Sequence, residues 1–291
     1  MDEAQLRHLV DVRVDNPGRI AEAAAQRKRP SGLLGEHGRL MVIAADHPAR
    51  GALRAGDDPL AMANRAELLE RVCLALSRPG VNGVLGTPDV LEDLLLLGAL
   101  DEKVVIGSMN RGGLAGTIFE LDDRFTAYDA ESIAVANFEG GKMLIRIDPD
   151  DPASVATLTA TADAISALAS RDLMAMVEPF VSHRSRGGVQ NELTPEAMIR
   201  AIVVASGLGR TSARTWLKVP VLSEMERVMA ASTLPALILG GEVPEDPDAS
   251  YRAWQGALRL PTVRGLVIGR SLLYPRDGDV AAAVDTVVGL L

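Results

Sequence analysis

Eight short apolar segments recur along the chain, and each is followed by a segment with helical periodicity. The apolar segments are near-continuous, which is typical of parallel strands covered on both faces. They occupy Leu40–Asp46, Gly83–Thr87, Lys103–Ser108, Lys142–Asp148, Leu173–Phe180, Thr215–Pro220, Ala236–Gly241 and Arg264–Arg270. Eight strand–helix units within about 250 residues predict a (β/α)8 TIM barrel of the α/β class.

Between the predicted strands, several residue pairs are typical of helix starts. A capping residue precedes proline at Asp58-Pro59, Thr87-Pro88, Asp151-Pro152, Thr194-Pro195 and Asp246-Pro247, and proline is favoured in the first helical turn. An open doubly wound sheet is the structural alternative, but its first strand leads into a glycine-rich dinucleotide turn. The chain instead has the sequence DHPARG at residues 46–51, which favours the barrel.

The first 39 residues precede this repeating pattern. They include a charged helical segment over roughly residues 3–26. We therefore expect a short N-terminal helical extension (1–39) followed by one catalytic barrel domain (40–291).

Composition excludes several classes of function. A net charge of −9 opposes general affinity for nucleic acid or anionic membrane, and 3% aromatic residues are too few for a base-stacking surface. Cys73 is the one cysteine, so an intrachain disulfide and a cysteine-rich zinc site are excluded. The chain shows no signal-peptide core, and its apolar runs are too short to span a bilayer. We expect a cytoplasmic protein that binds neither nucleic acid nor membrane.

Polar residues at the carboxyl ends of the strands are the functional candidates, because barrel active sites form there. Lys218 is the most informative, since a lysine within an apolar strand must be paired or neutral. Period-2 alternation places Lys142, Glu178 and Lys218 on the faces expected to line the barrel. A desolvated amine beside a second cation becomes nucleophilic, and a nearby carboxylate can transfer protons. An outward lysine in an ion pair at the rim is the structural alternative.

Glycines at the ends of the last two strands suggest an anion site. Gly240-Gly241 and Gly269-Arg270 match the barrel phosphate cup, in which backbone N–H groups bind the phosphate; tight turns are the alternative. Arg146 and the arginine-rich loop Ser182–Gly188, which contains Arg184 and Arg186, suit a carboxylate or a second anion. A solvated basic loop explains the same arginines equally well.

The strand-end motifs resemble those of class I, Schiff-base aldolases. They are ADHPARG, GGKMLIRID, MVEPF, WLKVP, LILGGEVP and GLVIGRSLLYP at the first, fourth, fifth, sixth, seventh and eighth predicted strands. The similarity runs from about residue 40 to the C-terminus and is to the tagatose-1,6-bisphosphate aldolase group of the deoxyribose-phosphate aldolase superfamily. ADHPARG and GGKMLIRID also resemble an actinobacterial aldolase-like family that accompanies inositol catabolism.

The resemblance implies a role for each matching residue. Lys218 would form the Schiff base, Glu178 would act as acid and base in carbinolamine dehydration, and Lys142 would tune Lys218 and contact substrate. Asp46 would bind or deprotonate a substrate hydroxyl.

Further residues would bind the rest of the substrate. Gly240, Gly241, Gly269 and Arg270 would bind its phosphate. The remaining predicted substrate contacts are His47, Arg146 and Arg184.

At two positions the sequence departs from related aldolase families, and these differences narrow the range of substrates that the resemblance implies. Lys218 is followed by Val219-Pro220-Val221, not by the Thr-Ser-Thr-Gly of deoxyribose-phosphate aldolases, and Glu178 lies where archaeal fructose-bisphosphate aldolases have a tyrosine signature. The resemblance implies metal-independent, cofactor-independent cleavage of a phosphorylated ketose or keto-sugar acid. The inositol association implies 5-dehydro-2-deoxy-phosphogluconate, giving dihydroxyacetone phosphate and malonate semialdehyde.

Two other functions remain open from the residues alone. One is a phosphosugar isomerase or epimerase that uses Glu178 and Asp46 for proton transfer. The other is a non-catalytic barrel that binds a sugar phosphate. In each case the partner is a small phosphorylated sugar, and we expect a homo-oligomer because barrels of this kind often associate.

Overall fold

Eight parallel strands close into a barrel in the computed structural model, which describes residues 1–35, 37–110, 113–185 and 188–291. The strands are β1 (Leu40–Ala44), β2 (Gly83–Gly86), β3 (Val104–Ser108), β4 (Gly140–Ile147), β5 (Met174–Ser185), β7 (Thr215–Val219), β8 (Ala236–Leu239) and β9 (Val263–Ile268), while β6 (Gly188–Asn191) pairs antiparallel with the outer end of β5. Neighbours follow the order β4-β3-β2-β1-β9-β8-β7-β5, and pairing of β4 with β5 closes the ring. The predicted (β/α)8 barrel is confirmed.

Helices cover the outside of the barrel and precede it. They are α1 (Glu3–Asp15), α2 (Gly18–Gln26), α3 (Arg65–Ser77), α4 (Pro88–Leu96), α5 (Ala130–Val135), α6 (Ala153–Ala169), α7 (Pro195–Ser206), α8 (Met225–Met229), α9 (Pro247–Leu258), α10 (Arg270–Leu273) and α11 (Val280–Val288). The short α10 directly after the last strand is the element that barrels use beside a phosphate site. None of the described helices is long and apolar enough to cross a membrane.

The barrel strands bury most positions on both of their faces, which explains the continuous apolar runs. On β1, Leu40 and Val42 pack inside the barrel, whereas Met41 and Ile43 pack in the layer between strands and helices. All four side chains are fully buried. The alternation therefore divides one apolar run between two cores.

The N-terminal helical segment is two helices rather than one. Helix α1 ends at Asp15 because Pro17 disfavours helical geometry at Asn16, whose φ is −150°. Arg13 on α1 pairs with Asp93 on α4 at 2.8 Å. These contacts attach the extension to the helical layer of the barrel.

Two sequence predictions of local structure are wrong. The helix after β1 begins at Arg65, not near Asp58-Pro59, because the Asn64 side chain accepts a hydrogen bond from the Glu67 amide at 3.1 Å. The predicted loop from Ser182 is instead the outer end of β5, which pairs with β6. Arg186, one of the two arginines of the predicted loop Ser182–Gly188, lies outside the described residues.

Candidate active site

The carboxyl ends of the strands surround a cavity of about 780 Å³. Most residues predicted to contact substrate line this cavity. They are His47, Arg146, Glu178, Lys218, Gly240, Gly241, Gly269 and Arg270. The barrel thus brings together side chains from segments that are far apart in sequence.

A carboxylate lies between two lysines inside the barrel. Lys218 Nζ donates a hydrogen bond to Glu178 Oε1 at 3.0 Å, and Lys142 Nζ lies 2.5 Å from Glu178 Oε2. The exposed fractions of the two lysine side chains are 5% and 1%. The strand-face alternation predicted from the sequence is therefore correct at all three positions.

Strand register explains this geometry. Met176 on β5 pairs with Trp216 on β7, so two residues later Glu178 and Lys218 lie level on neighbouring strands. Lys142 on β4 pairs with Met176 and therefore lies one layer deeper than Lys218. Lys218 is part of the cavity lining. Lys142 is not, and it lies beneath the cavity.

Asp46 follows β1 and lies beneath the cavity floor. Its side chain is 1% exposed, and Oδ2 accepts hydrogen bonds from Lys142 Nζ at 3.5 Å and Ser108 Oγ at 3.4 Å. The sequence assigned this carboxylate to a substrate hydroxyl. In the structure it lies beside Lys142.

His47 lies at the cavity wall, next to Asp46. Its Nδ1 is 3.7 Å from Asp46 Oδ1, and its side chain is 25% exposed. Burial lowers the pKa of His47 well below 6.5, and the charges of Arg270 and Lys218 lower it further. The imidazole is therefore neutral at physiological pH.

Two arginines on the same side of the cavity differ in their partners. The Arg146 guanidinium is bound by Asp123, with Nη2 2.6 Å and Nε 2.9 Å from its carboxylate oxygens, and it also contacts Glu120. Arg50 lines the cavity, and its guanidinium makes no hydrogen bond or ion pair with any described residue. Sequence reasoning missed Arg50, although it stands within the quoted ADHPARG motif.

The cavity wall at β8 and β9 carries hydrogen-bond donors. Arg270 Nε and Ser271 Oγ are buried and have no hydrogen-bond partner within the described part of the chain. Gly241 has a φ of +72°, in the left-handed region that glycine tolerates. At Gly269 a β-carbon would lie 2.4 Å from the Ala44 carbonyl oxygen, so close approach to β1 requires glycine there.

Arg184 lies apart from the cavity. Its guanidinium donates to the Ile118 carbonyl at 2.6 Å and pairs with Asp151 at 3.0 Å. Beside it, Asp148, Asp150 and His183 place possible metal-ligand atoms within 4.8 Å of one another. Asp148 there already accepts a hydrogen bond from the Asp150 amide.

Fold and site together define a (β/α)8 barrel with a buried lysine–glutamate–lysine cluster at the carboxyl ends of its strands. The chain belongs to the Cgl0159-like family, whose family model matches residues 38–288. It is 52% identical to Cgl0159 from Corynebacterium glutamicum, for which a crystal structure is known. The match covers 100% of this chain and 97% of that one, with a TM-score of 0.96.

More distant structures share the barrel. A Schiff-base-forming fructose-1,6-bisphosphate aldolase is 19% identical with a TM-score of 0.67, and an archaeal fructose 1,6-bisphosphate aldolase is 20% identical with a TM-score of 0.65. Each match covers 93% of this chain and 99% of the other. At this identity the likeness shows the fold alone. The comparison with curated proteins gave no match.

Proposed function

We propose that this protein is a class I aldolase that cleaves a phosphorylated keto compound through a Schiff base on Lys218. The observation that carries the proposal is the Glu178 carboxylate between Lys218 and Lys142, at 3.0 and 2.5 Å. Of the two buried amines, that of Lys218 lines the cavity. Lys218 therefore takes the covalent role and Lys142 orients the shared carboxylate.

The hydrogen bond between Lys218 and Glu178 supports each proton transfer in imine formation. Glu178 takes a proton from the Lys218 ammonium, and the neutral amine attacks the substrate carbonyl carbon. A proton then moves from the attacking nitrogen to the former carbonyl oxygen, which gives the carbinolamine. Glu178 then gives that proton to the carbinolamine hydroxyl, which leaves as water. The product is an iminium ion beside a carboxylate. The iminium then accepts the electron pair of the breaking carbon–carbon bond.

The cavity also presents two cationic side chains near this centre. Arg50 follows β1 and Arg270 follows β9, and both line the cavity together with Lys218 and Glu178.

Two arginines in the cavity lining favour a substrate with two anionic groups. The phosphate is assigned to Gly241, Gly269 and Arg270, and the second anion to Arg50. A phosphorylated keto-sugar acid such as 5-dehydro-2-deoxy-phosphogluconate has this form. Its cleavage gives dihydroxyacetone phosphate and malonate semialdehyde.

Borohydride reduction tests the mechanism directly. The chain has four lysines, Lys28, Lys103, Lys142 and Lys218, so peptide mapping assigns an adduct without ambiguity. Incubation with dihydroxyacetone phosphate and borohydride should add one adduct at Lys218. An adduct at Lys142 would reverse the two lysine roles. Turnover without trapping would favour a phosphosugar isomerase or epimerase.

Gly241→Val is expected to weaken binding of the phosphate. The left-handed φ of +72° opposes a β-branched side chain, and residue 241 lines the cavity. The Michaelis constant for phosphorylated substrate should rise roughly ten- to a hundredfold, equivalent to about 1.4–2.8 kcal/mol. The Michaelis constant for an unphosphorylated analogue should change much less.

Gly278→Val is the matched control for that experiment. Gly278 also has a left-handed φ, +77°, and open space at its β-carbon, but it lies before α11 and away from the cavity lining. Equal losses for both variants, or for both substrates, would assign the effect to backbone strain.

Arg50→Gln should discriminate among substrates by their second anion. A charge-assisted hydrogen bond contributes about 1.5–3 kcal/mol, so kcat/KM for a carboxylate-bearing substrate should fall roughly ten- to a hundredfold. The neutral alcohol analogue should lose little. Arg54→Gln is the control, since Arg54 is exposed four residues further along the same segment. A similar loss for both analogues would contradict the assignment.

A further inference from the structure

We infer that His47 is the proton-transfer residue of the carbon–carbon step, taking the proton of the substrate hydroxyl and returning it to the enamine carbon. The inference rests on the proposed function, because it requires the Lys218 imine. It reassigns to His47 the role that the sequence gave to Asp46, which becomes a positioning residue.

Access to the cavity separates the two candidates. Asp46 is 1% exposed and contacts Lys142 and Ser108. His47 lines the cavity together with Lys218 and Glu178. A base must come within hydrogen-bond reach of the proton that it removes, and of these two residues His47 is the one that lines the cavity.

The orientation of the ring supports this assignment. Nδ1 is the buried ring nitrogen of His47, and it lies 3.7 Å from Asp46 Oδ1. That arrangement leaves Nε2 as the ring nitrogen on the cavity side. The following 3-10 turn, Pro48–Arg50, positions the residue because the Arg50 amide donates to the His47 carbonyl at 3.0 Å. At 3.7 Å the Asp46 carboxylate is beyond hydrogen-bond distance of Nδ1, and its charge stabilises the imidazolium that forms when Nε2 takes up a proton.

The surrounding charges keep the ring neutral and therefore able to accept a proton. Asp46 faces it from its own segment, Lys142 from β4, Glu178 from β5, Lys218 from β7 and Arg270 from the segment after β9. Burial and the three cations lower the pKa of His47, and Glu178 opposes them. Glu178 already accepts from Lys218 and pairs with Lys142, so its carboxylate serves the imine chemistry.

The step conserves atoms and electrons. His47 Nε2 takes the proton of the hydroxyl on the carbon β to the imine carbon. The α–β carbon bond breaks, its electron pair moves to the iminium to form an enamine, and the β-carbon leaves as an aldehyde. The imidazolium then returns the proton to the enamine carbon, and water hydrolyses the resulting iminium to release the ketone.

Dihydroxyacetone phosphate alone tests this step, because its iminium must lose and regain a proton at the hydroxymethyl carbon. In D2O the wild-type protein should exchange that proton for deuterium, measured by NMR. His47→Gln should slow the exchange by about 10²- to 10⁴-fold while borohydride trapping at Lys218 stays complete. Retained trapping also shows that the variant is folded. His8→Gln, at an exposed residue of α1, should change neither measurement.

Each outcome decides one point. The wild-type exchange rate should fall with acid only below pH 6.5, and that acid limb should disappear in His47→Gln. Trapping without loss of exchange in His47→Gln overturns the inference and leaves the aldolase proposal standing. The absence of an adduct in the wild-type protein overturns the proposed function itself.

Discussion

Lys218→Met should abolish borohydride trapping and lower kcat/KM by at least about 10⁴-fold, since the covalent intermediate can no longer form. Methionine keeps the length and apolar stem of the side chain, so the barrel interior stays filled. The change also removes one of the two cations beside Glu178, which lies 3.0 Å from the Lys218 amine. Intact-mass analysis after reduction and a steady-state assay are the measurements.

Lys103→Met is the matched control for this loss. Lys103 precedes β3 at the opposite end of the barrel, where its Nζ donates to the Val81 carbonyl at 2.7 Å. The same substitution there should leave trapping and turnover unchanged. Trapping that persists in Lys218→Met and maps to Lys142 would contradict the assignment.

The sequence predicts the barrel because its strands are buried on both faces. On β1 the run Leu40–Ala44 leaves no polar position between the two cores, and such continuous runs survive small errors in boundary. Helix starts are less certain, because several residues compete for the role. Asp58-Pro59 has the composition of a cap, but Asn64 makes the capping hydrogen bond of α3.

In the candidate site, too, local features could be predicted from the sequence, whereas contacts between distant segments could not. Alternation within one strand is a local property, so the inward positions of Lys142, Glu178 and Lys218 follow from the sequence. The partners that come from other segments do not follow from the sequence. Nothing near Arg146 in sequence shows that Asp123, 23 residues earlier, binds its guanidinium. Arg50 was missed because nothing near it in sequence shows that its side chain lines the cavity.

The hairpin at the end of β5 shows a further limit. Ser182–Ser185 is polar and arginine-rich, as a solvated loop would be. In the structure it pairs with Gly188–Asn191, and the Val189 amide donates to Glu120 of the segment after β3. Strand preference depends on the structural context, and here pairing with β6 outweighs the polar composition of the segment.

Glu178→Gln should impair both catalysis and stability. The amide keeps the shape of the carboxylate but cannot shuttle protons, so kcat should fall by about 10²- to 10⁴-fold. Two buried ammonium groups also lose the anion that they share at 3.0 and 2.5 Å. Breaking a buried ion pair by removing one partner costs about 3–5 kcal/mol of unfolding free energy. Urea denaturation measures the loss of unfolding free energy, and the single-turnover rate of imine formation measures the loss of catalysis.

Glu139→Gln separates these two effects. Glu139 precedes β4 at the opposite end of the barrel, where it is buried, pairs with Arg27 at 2.8 Å and accepts from the Val105 amide at 2.8 Å. Its replacement also strands a buried cation, so the free energy of unfolding should fall by a similar amount. Imine formation measured where both variants are fully folded should stay normal in Glu139→Gln and fail in Glu178→Gln. If the two variants formed the imine equally fast, Glu178 would be a counter-ion for the two lysines and the proton shuttle would have to be another group.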